Sequence, residues 1–119
     1  MDELNVQTLM TLLPQVFLPE QARGIAAVIN FDLAGDGGGE WTVTIHNQSC
    51  TAVPGKSASS DLTLAAKTHD ILDIFTGRLD PTRALLFGKL RMTGDMRLAM
   101  RLAELFDTHD PRLRQWKKA

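Results

Sequence analysis

The sequence predicts an α/β fold of the α+β type, built from five strands and flanking helices. Two-residue periodicity is concentrated between residues 25 and 66, where the connections are short and turn-like. Helical periodicity occupies both ends of the chain, with one more short strand set between helices near residue 90. At 119 residues and 13.1 kDa the chain has the size of one domain, and no linker or internal repeat divides it, so 1–119 is read as a single domain.

In residues 4–17, LNVQTLMTLLPQVF, Val6, Leu9, Leu13, Val16 and Phe17 recur at spacings of three and four, which predicts a helix disturbed or ended near Pro14. Pro19-Glu20 opens a turn or short helix. Ile25, Ala27, Ile29, Phe31 and Leu33 then share one side of a strand, with Asn30 and Asp32 on its wet side. Gly35 to Glu40, GDGGGE, would suit a phosphate-cradling loop if a helix followed; a strand follows, so it reads as a glycine-rich hairpin connection. In that second strand Trp41, Val43 and Ile45 alternate with Thr42, Thr44 and His46. Asn47-Gln48 turns the chain into a weaker third strand through Cys50, Ala52 and Val53, and GKSASS, residues 55–60, is a polar loop. Leu62 and Leu64 mark the fourth strand. Thr68 or Asp70 caps a helix that carries Ile71, Leu72, Ile74 and Phe75 and that Gly77 closes. Asp80-Pro81 starts another, ended by Gly88. Leu90 and Met92 alternate with Lys89, Arg91 and Thr93 in the fifth strand, and Asp95 caps the last helix.

Hydrophobic residues make up 44% of the chain and charged residues 23%, a globular composition. A net charge of -1 argues against nucleic-acid binding through bulk charge. The basic end, with Arg112, Arg114, Lys117, Lys118 and Trp116, reads as a frayed solvated tail. The lone Cys50 rules out an internal disulfide and fits a reducing compartment. Met1-Asp2-Glu3 is acidic where a secretory signal is basic, and no apolar run reaches the roughly 20 residues that span a bilayer. A cytoplasmic protein without a transmembrane segment is the expectation.

The search for catalytic groups finds none. Gly-x-Ser-x-Gly is absent, Ser57, Ser59 and Ser60 have no histidine near in sequence, and Cys50 lies in no motif. His69-Asp70 and His109-Asp110 would suit a metal-dependent phosphohydrolase, but the further ligands that chemistry needs are missing and helix caps account for both doublets. The chain is therefore expected to be no enzyme, with no catalytic residue, metal or cofactor. What stands out is apolar surplus. Between Asp95 and Asp107 the only charges, Arg97, Arg101 and Glu104, form one narrow stripe, so the apolar residues cover far more than the roughly 100° that a surface helix buries.

The stretch ILDIFTGRLDPTRALLFGKLRMTGDMRLAMRLAELF, Ile71 to Phe106, closely resembles the sterol carrier protein 2 (SCP2) domain, whose members carry GKLNP.KA...GKLKI.GDM.LA.KL. The pattern appears here in matching order as Gly77-Arg78-Leu79-Asp80-Pro81-Thr82-Arg83-Ala84, Gly88-Lys89-Leu90-Arg91-Met92, Gly94-Asp95-Met96 and Leu98-Ala99-Met100. Ile29 to Ile45 also resembles the family's first hairpin. The resemblance implies a five-stranded, largely antiparallel or mixed sheet covered by helices. It implies an apolar tunnel between them that takes fatty acyl chains, fatty acyl-CoA, phospholipid or sterol without catalysis. A short chain ending Lys117-Lys118-Ala119, in place of a peroxisomal Ser-Lys-Leu, is similar to small prokaryotic members.

Pattern and family shape together nominate Leu9, Leu13, Phe17, Phe75, Leu86, Phe87, Met92, Met96 and Met100 as the lipid-binding residues, because methionine-rich linings suit ligands of loosely defined shape. The expected partner is a lipid or other apolar small molecule, with no nucleic acid, and the chain is expected to be a monomer or weak dimer. Two rival readings stay open. One is an accessory module that holds substrate for a separate lipid-metabolising enzyme, since the same domain occurs attached to alkylsulfatases and peroxisomal enzymes; the other is a homodimerising structural domain with no ligand.

Overall fold

The computed structural model describes residues 5–114. Helix α1, Val6–Val16, is capped by Asn5, whose Oδ1 accepts from the Thr8 N–H at 2.8 Å. It runs through Pro14, which has no N–H to give the Met10 carbonyl, and stops two residues later. A 3₁₀ turn, Pro19–Ala22, follows. Strand β1, Ala27–Ala34, starts later than the period-two pattern suggests, because the Ile25 N–H closes the preceding turn by donating to the Ala22 carbonyl at 3.1 Å.

Strand β2, Gly39–His46, pairs antiparallel with β1, and β3, Ser49–Pro54, antiparallel with β2. Asn47 and Gln48 make the tight turn between them with φ of 51° and 58°, the positive values a two-residue hairpin of this hand demands. Gln48 is an unusual residue for that conformation; its Nε2 donates to the Pro19 carbonyl at 3.0 Å, which holds the turn down. Strand β4, Leu62–Lys67, lies parallel to β1 on its other side, and β5, Leu90–Gly94, pairs antiparallel with β4. The result is a mixed five-stranded sheet of order β3-β2-β1-β4-β5 with β5 at an edge.

Helices cover one face of this sheet. Beneath them lie Ala27, Ile29, Phe31 and Leu33 of β1, Val43 and Ile45 of β2, and Leu62 and Leu64 of β4, all buried. Helix α1 packs over β3. Helix α2, Thr68–Phe75, sits by β4, and α3, Pro81–Leu86, leads into β5. Helix α4, Met96–Leu105, packs on β4 and β5. Asp95 caps α4 by accepting from the N–H groups of Arg97 and Leu98 at 3.0 and 3.1 Å. Gly94, at φ +120°, must be glycine: a Cβ there would run into the Asp61 backbone carbonyl. The C-terminal ends of α1 and α4 are stitched together, the Leu18 N–H donating to the Leu105 carbonyl and the Asp107 N–H to the Val16 carbonyl, each at 2.8 Å.

Three local expectations are corrected. Asn30, placed on the wet side of its strand, is buried, because the loop at 55–60 folds back over it: Asn30 Nδ2 donates to the Ser57 carbonyl at 3.0 Å and Oδ1 accepts from the Ser57 N–H at 3.1 Å. Neither Thr68 nor Asp70 caps α2; the Thr68 hydroxyl instead donates to the Ala34 carbonyl at 2.9 Å, tying the helix start to the end of β1. The basic end includes a short helix α5, Pro111–Arg114, where a frayed tail was expected. Arg112 anchors it, donating to Asp110 and to the Gln15 side chain and carbonyl on α1. Trp116, Lys117 and Lys118 lie outside the described residues, as do Met1, Asp2 and Glu3.

Candidate functional site

A cavity of about 380 Å³ lies between the sheet and the α2–α3–α4 side of the helical layer. Its floor is the covered face of the sheet: Ile29 and Phe31 of β1, Val43 of β2, Leu64 of β4, and Leu90 and Met92 of β5. Its walls are Ile74 and Phe75 at the end of α2, Leu79 in the following loop, and Ala99, Leu102, Ala103 and Phe106 from α4 and its end. The exposed members of the lining, Gly77, Asp80, Pro81, Ala103 and His109, mark the mouth. The volume falls within the roughly 300–1,000 Å³ of small-molecule sites. Charge is confined to that rim, where Asp80 is engaged as the cap of α3, its Oδ2 accepting from the Arg83 N–H at 3.1 Å.

The space exists because α4 presents short side chains to it. At about 100° per residue, Ala99, Leu102, Ala103 and Phe106 fall on one face of the helix. Leu98 and Leu105 point to the core beside that face, and both are buried. Met96 and Met100 lie on the other side of it, exposed to solvent. The apolar surplus of α4 is thus divided among core, cavity and surface.

Of the nine nominated residues, the structure brings Phe75 and Met92 into the cavity wall. Leu9 and Leu13 are fully buried in the core under α1, away from the lining, because α1 packs over β3 at the opposite edge of the sheet. Phe17 stands one ring removed, its centroid 5.7 Å from that of the cavity-lining Phe106. Leu86, Phe87, Met96 and Met100 are corrections of place: they are 76%, 71%, 47% and 80% exposed and line no part of the cavity. The pattern reading sought large, flexible side chains, whereas a cavity opens where side chains are short. The signal that could have found α4's contribution is the alanine pair at i and i+4.

Elsewhere, polar chemistry is sparse. Burial pushes the Cys50 thiol up to about 11, which leaves it protonated and unreactive at neutral pH. His69 Nδ1 lies 3.1 Å from Oδ1 of the buried Asp70, and Asp73 brings a third donor within 4.8 Å of both on α2, a grouping the sequence pair alone did not reveal. Asp73 also faces Arg78 at 3.8 Å. The doublet at His109-Asp110 does serve as a cap, Asp110 Oδ1 accepting from the Arg112 N–H at 2.8 Å.

Compared with known proteins, residues 8–107 match the model of the SCP-2 sterol transfer family. The chain belongs to that family. Among relatives, mouse hydroxysteroid dehydrogenase-like protein 2 is 33% identical over 95 residues, covering 79% of this chain and 19% of its own. The chain thus spans about a fifth of the length of the curated relatives it matches first. Among solved structures, palmitated SCP2L2 from Aedes aegypti superposes with a TM-score of 0.71 at 28% identity, covering 85% of this chain and 93% of that one. The sec-alkylsulfatase Pisa1 from Pseudomonas sp. matches in fold with a TM-score of 0.76 at 21% identity, over 87% of this chain and 16% of its own. Family membership agrees with the mixed five-stranded sheet and its single helical layer. Among the described residues no helix is long and apolar enough to cross a membrane.

Proposed function

We propose that this chain is a non-catalytic lipid carrier whose cavity takes the acyl chain of a fatty acid, fatty acyl-CoA or phospholipid, or a sterol. The observation that carries this reading is the cavity itself: about 380 Å³, floored by aliphatic and aromatic side chains of the sheet, with charge only at its mouth. Such a site offers an acyl chain dispersion contacts and release from water, at about 0.8 kcal/mol per buried methylene, and offers a reacting group nothing to act on it. The Aedes relative described as palmitated supports an acyl ligand. Phe75 and Met92 are the nominated residues placed to touch it, joined by Leu102 and Phe106.

Native mass spectrometry of the purified chain, followed by organic extraction, tests the proposal. A reproducible added mass that extracts as fatty acid or phospholipid is expected. A clean unliganded mass together with no uptake of a fluorescent fatty acid would overturn it.

A second reading has its own support. Relatives matched over a fifth or less of their length bear enzyme names, so the same fold serves inside larger proteins. On that reading the chain holds an apolar substrate for a lipid-metabolising enzyme, and a stable complex with such an enzyme in pull-down distinguishes it from a free carrier.

A further inference from the structure

Toward α1 the cavity ends at one aromatic ring. Neither α1 nor β3 contributes a residue to the lining. Phe106 lines the cavity, and its ring packs against that of Phe17, which does not line it, at a centroid separation of 5.7 Å and a tilt of 58°. Both phenylalanines are 7% exposed. Leu9, Met10 and Leu13 of α1, also outside the lining, are almost completely buried, so that side of the molecule is filled. The backbone that carries the Phe106 ring is held in place. It is extended, with φ -130° and ψ 141°, and bridges antiparallel to Phe17. The bonds from the Leu18 N–H to the Leu105 carbonyl and from the Asp107 N–H to the Val16 carbonyl, each 2.8 Å, flank it.

A limit on the ligand follows from this closure. Packed as densely as a protein interior, a methylene takes about 30 Å³, close to the share of one molecule in liquid water. The cavity of about 380 Å³ therefore accepts about a dozen methylenes. One acyl chain meets that capacity. The two chains of a phospholipid together bring more than about twice as many carbons, and a sterol about twice as many. A methylene beyond the capacity has to remain at the mouth, in water, where it adds nothing to affinity.

We propose that Phe106 sets the capacity of the cavity at one acyl chain of about twelve carbons, and so selects the ligand by length. The inference rests on the carrier reading, and its test tells the two apart. Displacement of a fluorescent fatty acid from the full chain by octanoate, decanoate, laurate, myristate, palmitate and stearate, each below its micellar concentration, reads the limit. Affinity is expected to rise about fourfold per methylene as far as laurate and then to level off. Phe106→Ala vacates the space of the ring, about three methylenes, and should carry the break toward palmitate. Phe106→Val, whose branched side chain suits the extended backbone, should carry it to about myristate. Met10→Ala, which opens a void in the core outside the lining, should leave the break where it is.

Affinity that climbs through stearate without a break overturns the limit and leaves the carrier reading standing. A break that stays in place in folded Phe106→Ala and Phe106→Val, or that moves as far in Met10→Ala, overturns the assignment to Phe106. Circular dichroism checks that the variants fold, and the wild-type profile supports or overturns the capacity without them. Displacement by no fatty acid of any length overturns the carrier reading and the limit with it.

Discussion

Helices α1 and α4 are both apolar, both nominated by pattern to line a ligand site, and they do opposite things. Every apolar position of α1 that faces inward carries a large side chain, and Leu9, Met10 and Leu13 are almost completely excluded from solvent. Nothing remains to be filled. Helix α4 lines the same side with Ala99 and, at the mouth, Ala103, and the space they leave beside Phe31, Leu64, Met92 and Phe75 is the cavity. The size of the side chains, more than their hydrophobicity, separates a core helix from a cavity helix.

The comparison is broken first by truncating α1. Leu13→Ala should destabilise the fold by about 2–5 kcal/mol, since a fully buried leucine leaves a void, while the acyl affinity of the molecules that remain folded stays unchanged. Denaturant titration beside a fluorescent fatty-acid titration measures both; a loss of affinity with stability intact would put Leu13 in the site. The converse change is Ala99→Phe. A ring projected into the cavity should displace at least two methylenes of ligand and lower affinity at least about tenfold. Stability should move by no more than about 1–3 kcal/mol, because the ring enters space that is empty. Unaltered affinity would remove the α4 side of the cavity from the binding site.

The difference between the helices also explains what could be read from the sequence. Every strand and the four longer helices announced themselves through periodicity and through punctuation such as Asp80-Pro81 and Asp95, because one-sided burial imposes a period on the residues that supply it. The Gly77-Arg78-Leu79 and Gly88-Lys89-Leu90 blocks carried the resemblance to the family. Burial that arises across sequence distance carried no such mark. Asn30 sits on the polar side of β1, and only the return of Ser57 makes it interior. The cavity was half legible: Phe75 and Met92 lie in runs that alternate toward the core, whereas Ala99 and Ala103 look like ordinary helix formers. Leu86 and Phe87 were nominated as lipid-binding residues from pattern and family shape, yet they stand past α3's one buried position, Ala84.

Smaller effects sharpen the contrast at the helix starts. Asn5→Ala and Asp95→Ala should each cost about 1 kcal/mol by removing a cap. The consequences should differ, since only α4 is a cavity wall: hydrogen exchange at α4 amides and fatty-acid release should quicken in Asp95→Ala and not in Asn5→Ala. Equal release rates would mean that fraying of α4 does not open the cavity. At the far end of α1, hydrogen bonds from Arg112 hold the Asp110 carboxyl down to about 2. A folded-state value below the unfolded one stabilises above the unfolded value, and this small contribution is lost as pH falls toward about 2. In Arg112→Ala the Asp110 titration followed by NMR should return toward the ordinary 3.8.

The smallest change is expected where the pattern reading would place one of the largest. If Met100 faced the cavity, Met100→Glu would bury a charge in an apolar site and cost several kcal/mol. At 80% exposure the carboxylate stays in water, and stability should shift by less than about 0.5 kcal/mol. Fatty-acid affinity in solution should likewise hold, because Ala99 and Ala103, and not Met100, bound the cavity on α4. A large loss of either would mean that α4 is rotated in solution from the position described, bringing its methionines inward and its alanines out.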